Sequence, residues 1–235
     1  MDTVQSNPTE RKVIMTKRFH KEIENIKKMI LSLGAKVEDR VQVVTQAIEA
    51  CDAETAAKII NMDYEIDEAE VEIEEECLKV LALYQPVAVD LRFLIAVIKI
   101  NNDLERIGDQ AVNIAQRITT MSKDKTNGEK FFFDYSRMIE KVNYMLNQSM
   151  ESLVNMDVDM AIEVCQMDDI VDDIKSEAYR SIKKTMKEHP NQLSYLINLF
   201  LISRHLERLA DHCTNIAEEV IYMIEGEIVR HGPSK

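Results

Sequence analysis

Residues 102–118 read NDLERIGDQAVNIAQRI, and residues 204–220 read RHLERLADHCTNIAEEV. Both stretches carry Leu-Glu-Arg, then Asp, then Asn-Ile-Ala, so the shared frame is Glu-Arg-x-x-Asp-x-x-x-Asn-Ile-Ala. Glu105 and Asp109 are four apart and share one helix face, with Asn113 a further turn along. Glu207, Asp211 and Asn215 do the same in the second copy. A repeat that keeps acids at helical spacing while its neighbours drift points to a paired site.

Working outward, each copy lies in the last helix of a three-helix half. From Ile23 the apolar residues run Ile23, Ile26, Ile30, Leu33, Val37, Val41, Val44 and Ile48, one stripe of a long amphipathic helix that Gly34 interrupts without ending. A break near Cys51-Asp52 precedes a second, acidic helix at about 54–84. Gln85-Pro86 then punctuates, and Pro86 suits the first turn of a third helix to about Met121. The polar stretch 123–130 (KDKTNGEK) lacks an apolar period and reads as a linker. The pattern then recurs, with helices at about 131–155 and 159–188, and His189-Pro190 opening a last one to about Glu225. The expected fold is all-α, two tandem pseudo-symmetric three-helix bundles of six long helices. The bounds are 1–17 for an N-terminal tail, 18–122 and 131–226 for the bundles, and 227–235 for a C-terminal tail.

Composition agrees. Five glycines and four prolines in 235 residues are too few for a strand-and-turn architecture. A net charge of −13 opposes binding to nucleic acid or to anionic lipid, and suits divalent cations and basic protein patches. The N-terminal stretch has no apolar core of a secretory signal, and no apolar run is long enough to span a bilayer, so a soluble protein is expected. Cys51, Cys77, Cys165 and Cys213 are widely spaced and read as free, buried helical thiols of a reducing compartment.

The acidic helices repeat the acid-three-acid spacing. Met62-Asp63-Tyr64-Glu65-Ile66-Asp67 offers Asp63/Asp67, and Met167-Asp168-Asp169-Ile170-Val171-Asp172 offers Asp168/Asp172. If these faces meet Glu105/Asp109 and Glu207/Asp211, four carboxylates converge in each half. Such a group either raises its own pKa values or holds a cation. Hard oxygen ligands suit Mg²⁺, Mn²⁺, Ca²⁺ or iron. A redox di-iron enzyme is disfavoured, because no histidine stands three residues after a glutamate. His205 and His212 flank the second pair within reach of a metal, although solvated or hydrogen-bonded rings are commoner. Arg106 and Arg208 sit about 100° round the helix from the glutamates, so they pair within the helix or form a basic edge. No phosphate loop or nucleophilic grouping is visible.

The runs Gln85-Pro86-Val87-Ala88-Val89-Asp90-Leu91-Arg92, Asn102 to Ala115 and Arg204 to Glu219 closely resemble the PhoU family of phosphate-transport regulators, over about 18–231. The resemblance implies two pseudo-symmetric three-helix bundles whose E(D)xxxD motifs bind metal clusters on the surface. Carried over residue by residue, those motifs are Asp63/Asp67 with Glu105/Asp109, and Asp168/Asp172 with Glu207/Asp211. The implied ions are Mg, Mn, Fe or Zn. His205 and Cys213 replace Asp103 and Ala111 of the first copy, so the two sites are expected to differ.

The resemblance further implies a cytoplasmic, non-enzymatic homodimer. It would contact the ATP-binding subunit of the phosphate transporter and the phosphate sensor histidine kinase, and repress the phosphate-starvation response. A metal-independent helical adaptor, whose acidic faces dock basic partners, is the alternative. A metal-dependent hydrolase lacks a dedicated general base.

Overall fold

The computed structural model describes residues 8–124, 131 and 133–227, with side chains from residue 16 onward. Seven α-helices and one 3₁₀ turn occur in these residues, and no strand. The helices are α1 (Pro8–Ala50), α2 (Ala53–Asn61), α3 (Tyr64–Tyr84), α4 (Ala88–Ser122), α5 (Ser136–Asn155), α6 (Val158–Glu188) and α7 (Leu193–Glu225). Each half is a three-helix bundle, with α2 and α3 together forming the middle arm of the first.

All eight positions of the α1 stripe, Ile23 to Ile48, are buried, and Gly34 leaves the helix unbroken. The helix begins at Pro8, inside the stretch read as a tail. Asp52 caps α2: its Oδ1 accepts from the backbone N–H of Glu54 at 2.9 Å and of Thr55 at 3.2 Å. Cys51 beside it is exposed in a turn at φ 51°, rather than buried in a helix. Cys77 and Cys213 are buried as expected, and Cys165 is half-buried.

The middle arm of the first half is not one helix from 54 to 84. It breaks at Met62-Asp63, where the buried Arg40 of α1 donates from Nη2 to the Met62 carbonyl at 2.9 Å. The same carbonyl also accepts from the Glu65 N–H at 3.2 Å, and the Ile66 N–H bonds Asp63 at 3.0 Å rather than Met62, so the regular four-residue bonding lapses at this junction. The matching arm α6 is continuous through Met167-Asp168. Two further bounds move. Helix α4 opens at Ala88, with Pro86 just outside it, and α5 opens at Ser136 rather than near 131. Most of the linker read at 123–130 lies outside the described residues, as does nearly all of the C-terminal tail.

The halves share a core. Helix α4 packs along α7, and α1 along α5, in the same contiguous apolar cluster that fills each bundle. Polar pairs set the direction of the central crossing. Lys99 Nζ reaches Glu219 Oε1 at 2.8 Å, Asp103 Oδ1 lies 2.8 Å from His212 Nδ1, and Gln110 Oε1 lies 2.9 Å from His205 Nδ1. Numbers rise along one helix as they fall along the other, so α4 and α7 run antiparallel. In the repeat frame Asp103 is equivalent to His205, and Gln110 to His212. The two pairs are therefore related by a pseudo-twofold axis near the buried Ile107 and Leu209, at the centre of the duplicated motif.

Candidate functional site

The duplicated motif divides its faces. One face of each copy meets the other copy across the axis, and the acidic face turns toward the middle arm of its own half. In the first half, α3 and α4 approach so closely that a Cβ on Gly108 would stand 2.9 Å from Ile66 Cδ1. The second half carries Ala210 and Val171 at these positions, both buried, so the larger residue of one helix is matched by the smaller of the other.

This close approach gathers Asp63, Asp67, Glu105 and Asp109 on one face. Asp63, Glu105 and Asp109 are half-buried, and Asp67 is exposed. Desolvation raises the Asp63 carboxyl above the usual range, helped by the charges of Asp67 and Asp109. Desolvation likewise raises Glu105, with Asp109, Asp67 and Glu70 adding repulsion. Glu70, one turn beyond Asp67, is raised by desolvation and by Glu74 and Asp67, so it is a fifth carboxylate of this cluster.

Two cations flank these acids: Arg40 of α1, whose charge opposes the rise at Asp63, and Arg106. Arg106 Nη1 donates to Asp109 Oδ2 at 3.3 Å, whereas its Nε lies 3.4 Å from Glu105 Oε2 without hydrogen-bond geometry. Glu105 Oε2 is thus a buried oxygen with no hydrogen-bond partner.

The second half gathers Asp168, Asp172, Glu207 and Asp211, with different neighbours. Lys175 Nζ donates to Asp172 Oδ1 and to Glu207 Oε1, both at 2.7 Å. Thr214 Oγ1 lies 3.3 Å from both Asp168 Oδ1 and the Ala210 carbonyl, and its one hydrogen serves either acceptor. Desolvation raises Asp168, against the Thr214 bond, and pushes Asp211 up to about 6, where Glu207, Asp168 and Asp172 add their charges.

Each set of four acids is therefore brought to one two-helix face. Among the described residues, no three His, Cys, Asp or Glu side chains close tightly enough to hold a metal ion as they stand. The donor chemistry of the first half nevertheless fits a hard cation: carboxylates that repel one another, and one buried oxygen without a donor.

The flanking histidines do something else. Desolvation, with the charges of Arg117, Arg208 and Arg204, pushes the His205 pKa down to about 4. The ring is neutral, turned to Gln110 on α4 rather than to the acidic face. His212 bonds Asp103, which also accepts from Asn215 Nδ2 at 3.1 Å. Lys175, Glu70 and Thr214 are the neighbours that spacing alone left out. Comparison of the copies holds their signal, since Lys175 stands where the first half has Glu70, and Thr214 where it has Val112.

Fold and site together define a class: duplicated helical-bundle proteins with a carboxylate-lined face on each half. The PhoU domain model matches residues 30–118 and 135–220, one match per half, and the chain belongs to the PhoU family. The phosphate-specific transport system accessory protein PhoU homolog of Aquifex aeolicus is 36% identical over 214 residues, 91% of this chain and 96% of that one. Its namesake in Pseudomonas aeruginosa is 33% identical over 217 residues, 92% of this chain and 89% of that one. The crystal structure of PhoU from P. aeruginosa superposes with a TM-score of 0.85 at 33% identity, covering 89% of this chain and 100% of that one. The phosphate transport system regulatory protein PhoU from Streptococcus pneumoniae superposes at 0.82, with 29% identity, covering 90% and 99%. Membership places the chain among accessory proteins rather than enzymes. No helix among the described residues is long and apolar enough to cross a membrane.

Proposed function

We propose that the chain is a cytoplasmic regulator of phosphate homeostasis. In this reading it couples the phosphate transporter, through its ATP-binding subunit, to the sensor histidine kinase, and represses the phosphate-starvation response when phosphate is plentiful. The observation that carries the reading is the family match in both halves, with relatives named as accessory proteins of the phosphate-specific transport system. The acidic faces are the second support, because they are the surface the duplicated motif builds.

Asp63, Asp67, Glu105 and Asp109 would hold a divalent or iron cation in the first half, and Asp168, Asp172, Glu207 and Asp211 in the second. A bound cation supplies charge neutralisation and open positions for an oxygen ligand of a partner. The protein's part is to hold the acids on packed helices and to leave one edge open to solvent.

The test is complementation in a bacterium deleted for its own PhoU. Expression of this chain restores repression of a phosphate-starvation reporter in phosphate-rich medium, and the purified chain binds the ATP-binding subunit and the kinase. A reporter that stays fully active, with the chain folded and abundant, contradicts the proposal.

The metal-independent adaptor stays as a second reading for one reason: Lys175 already satisfies two of the second half's carboxylates, with the Thr214 hydroxyl beside a third. Partner binding that weakens with salt but ignores chelators would favour it.

A further inference from the structure

The two acidic faces occupy equivalent places in the two bundles, yet one position reverses charge between them. Asp63, Asp67 and Glu70 of α3 correspond to Asp168, Asp172 and Lys175 of α6. In the first half the Glu70 carboxylate adds its charge to those of Asp67 and Glu105. In the second half the Lys175 ammonium stands 2.7 Å from both Asp172 and Glu207, the equivalents of those same two acids.

We propose that Lys175 is the resident cation of the second acidic face, so that a divalent cation binds the first half directly but enters the second only by displacing this ammonium. The inference rests on the metal reading given above and adds to it which half is the stronger site.

Three features of the geometry carry it. The ammonium bridges two helices, accepted on one side by Asp172 of α6 and on the other by Glu207 of α7. Lys175 and Glu207 are largely shielded, with side chains 28% and 18% exposed, so their pair is screened less than an open surface pair. Thr214 then offers Asp168 a hydroxyl that it shares with the Ala210 carbonyl, where Val112 of the first half has none to give.

In the first half the buried Arg40 of α1 adds its charge near Asp63 while its Nη2 bonds the Met62 carbonyl, and the second cation is Arg106. Its contacts are 3.3 and 3.4 Å long, both to its own helix, and its side chain is 51% exposed, a weak and easily displaced arrangement. The first face therefore keeps a buried oxygen on Glu105 without a hydrogen-bond donor, whereas in the second Lys175 occupies Asp172 and Glu207.

The test reads each half separately by titrating Mn²⁺ calorimetrically into chelator-stripped protein. Glu207→Gln with Asp211→Asn silences the second half, and Glu105→Gln with Asp109→Asn silences the first. The first half binds Mn²⁺ more tightly than the second. Lys175→Met, in the background with the first half silenced, tightens Mn²⁺ binding by about tenfold or more, and Lys175→Gln does so in parallel. Glu70→Lys, with the second half silenced, weakens the first half by a similar factor. Helix content by circular dichroism identifies the folded variants on which these affinities are read.

Mn²⁺ affinity in the second half that is unchanged by both Lys175 substitutions, while the first half binds, overturns the inference and leaves the metal reading standing. Failure of Mn²⁺ to bind either half of any folded variant overturns both.

Discussion

His205 shows how a residue that flanks an acidic pair in sequence can turn to another face, as a hydrogen-bonded ring rather than a ligand. Adjacent to Arg204 and two residues before Glu207, it reads as a potential ligand, yet its ring packs toward Gln110 and is held neutral. Its pKa near 4 in the folded state lies below the ordinary 6.5, so the unfolded chain binds a proton that the folded one refuses. The resulting stability is present above about pH 6.5 and is lost as pH falls toward 4. Between pH 7 and 5 the native protein should lose about 1–2 kcal/mol that a His205→Gln variant keeps, with the range reduced for partial exposure. Urea unfolding at the two pH values measures it, and equal losses in both proteins would discount the buried neutral ring.

Gly108 makes a second residue-scale prediction. Alanine there should cost about 1–2 kcal/mol by pressing on Ile66, and Ile66→Val in the same chain should recover much of it, as Ala210 with Val171 does naturally. Additive losses in the double variant would refute that complementarity.

Among the elements, α1 was legible because an amphipathic helix writes its buried stripe at intervals of three and four, and every residue of that stripe is buried. The break between α2 and α3 was not legible. It coincides with Arg40, 22 residues upstream, reaching the Met62 carbonyl, and nothing local to Met62-Asp63 announces it. Arg40→Met should therefore loosen this junction selectively, seen as faster amide exchange over residues 60–68 with α6 unaffected. Uniformly unchanged exchange would show that the break has another cause.

The eight site carboxylates were legible because acids four apart must share a helix face. Lys175, three residues past Asp172, lay on that same face. Its importance emerges only when the halves are aligned and the charge reversal with Glu70 is seen. Similarly, Asp103 with His212 and Gln110 with His205 occupy the positions where the copies diverge. Those positions diverge in register because they meet each other across the pseudo-axis.

At the scale of the whole molecule, duplication has produced two bundles that cannot be treated as beads on a string. Helices α4 and α7, each about 50 Å long, bury their motif centres against one another, and α1 lies along α5. The halves should accordingly unfold in urea as one cooperative transition, followed by helix dichroism and by tyrosine fluorescence, since the chain has no tryptophan. Two resolved transitions would mean that the central crossing contributes little. The same crossing sets the acidic faces apart, one on each half, each lined by the middle arm and the motif helix of its own bundle.

The most direct test of these faces as cation sites is the metal content of the native protein beside that of Glu105→Gln with Asp109→Asn, by elemental analysis after equilibration with Mn²⁺ and removal of free ion. Bound metal is expected in the native protein, with loss of the first half's share in the variant. Equal metal in the two proteins, or none in the native one, would contradict the assignment of these faces as cation sites.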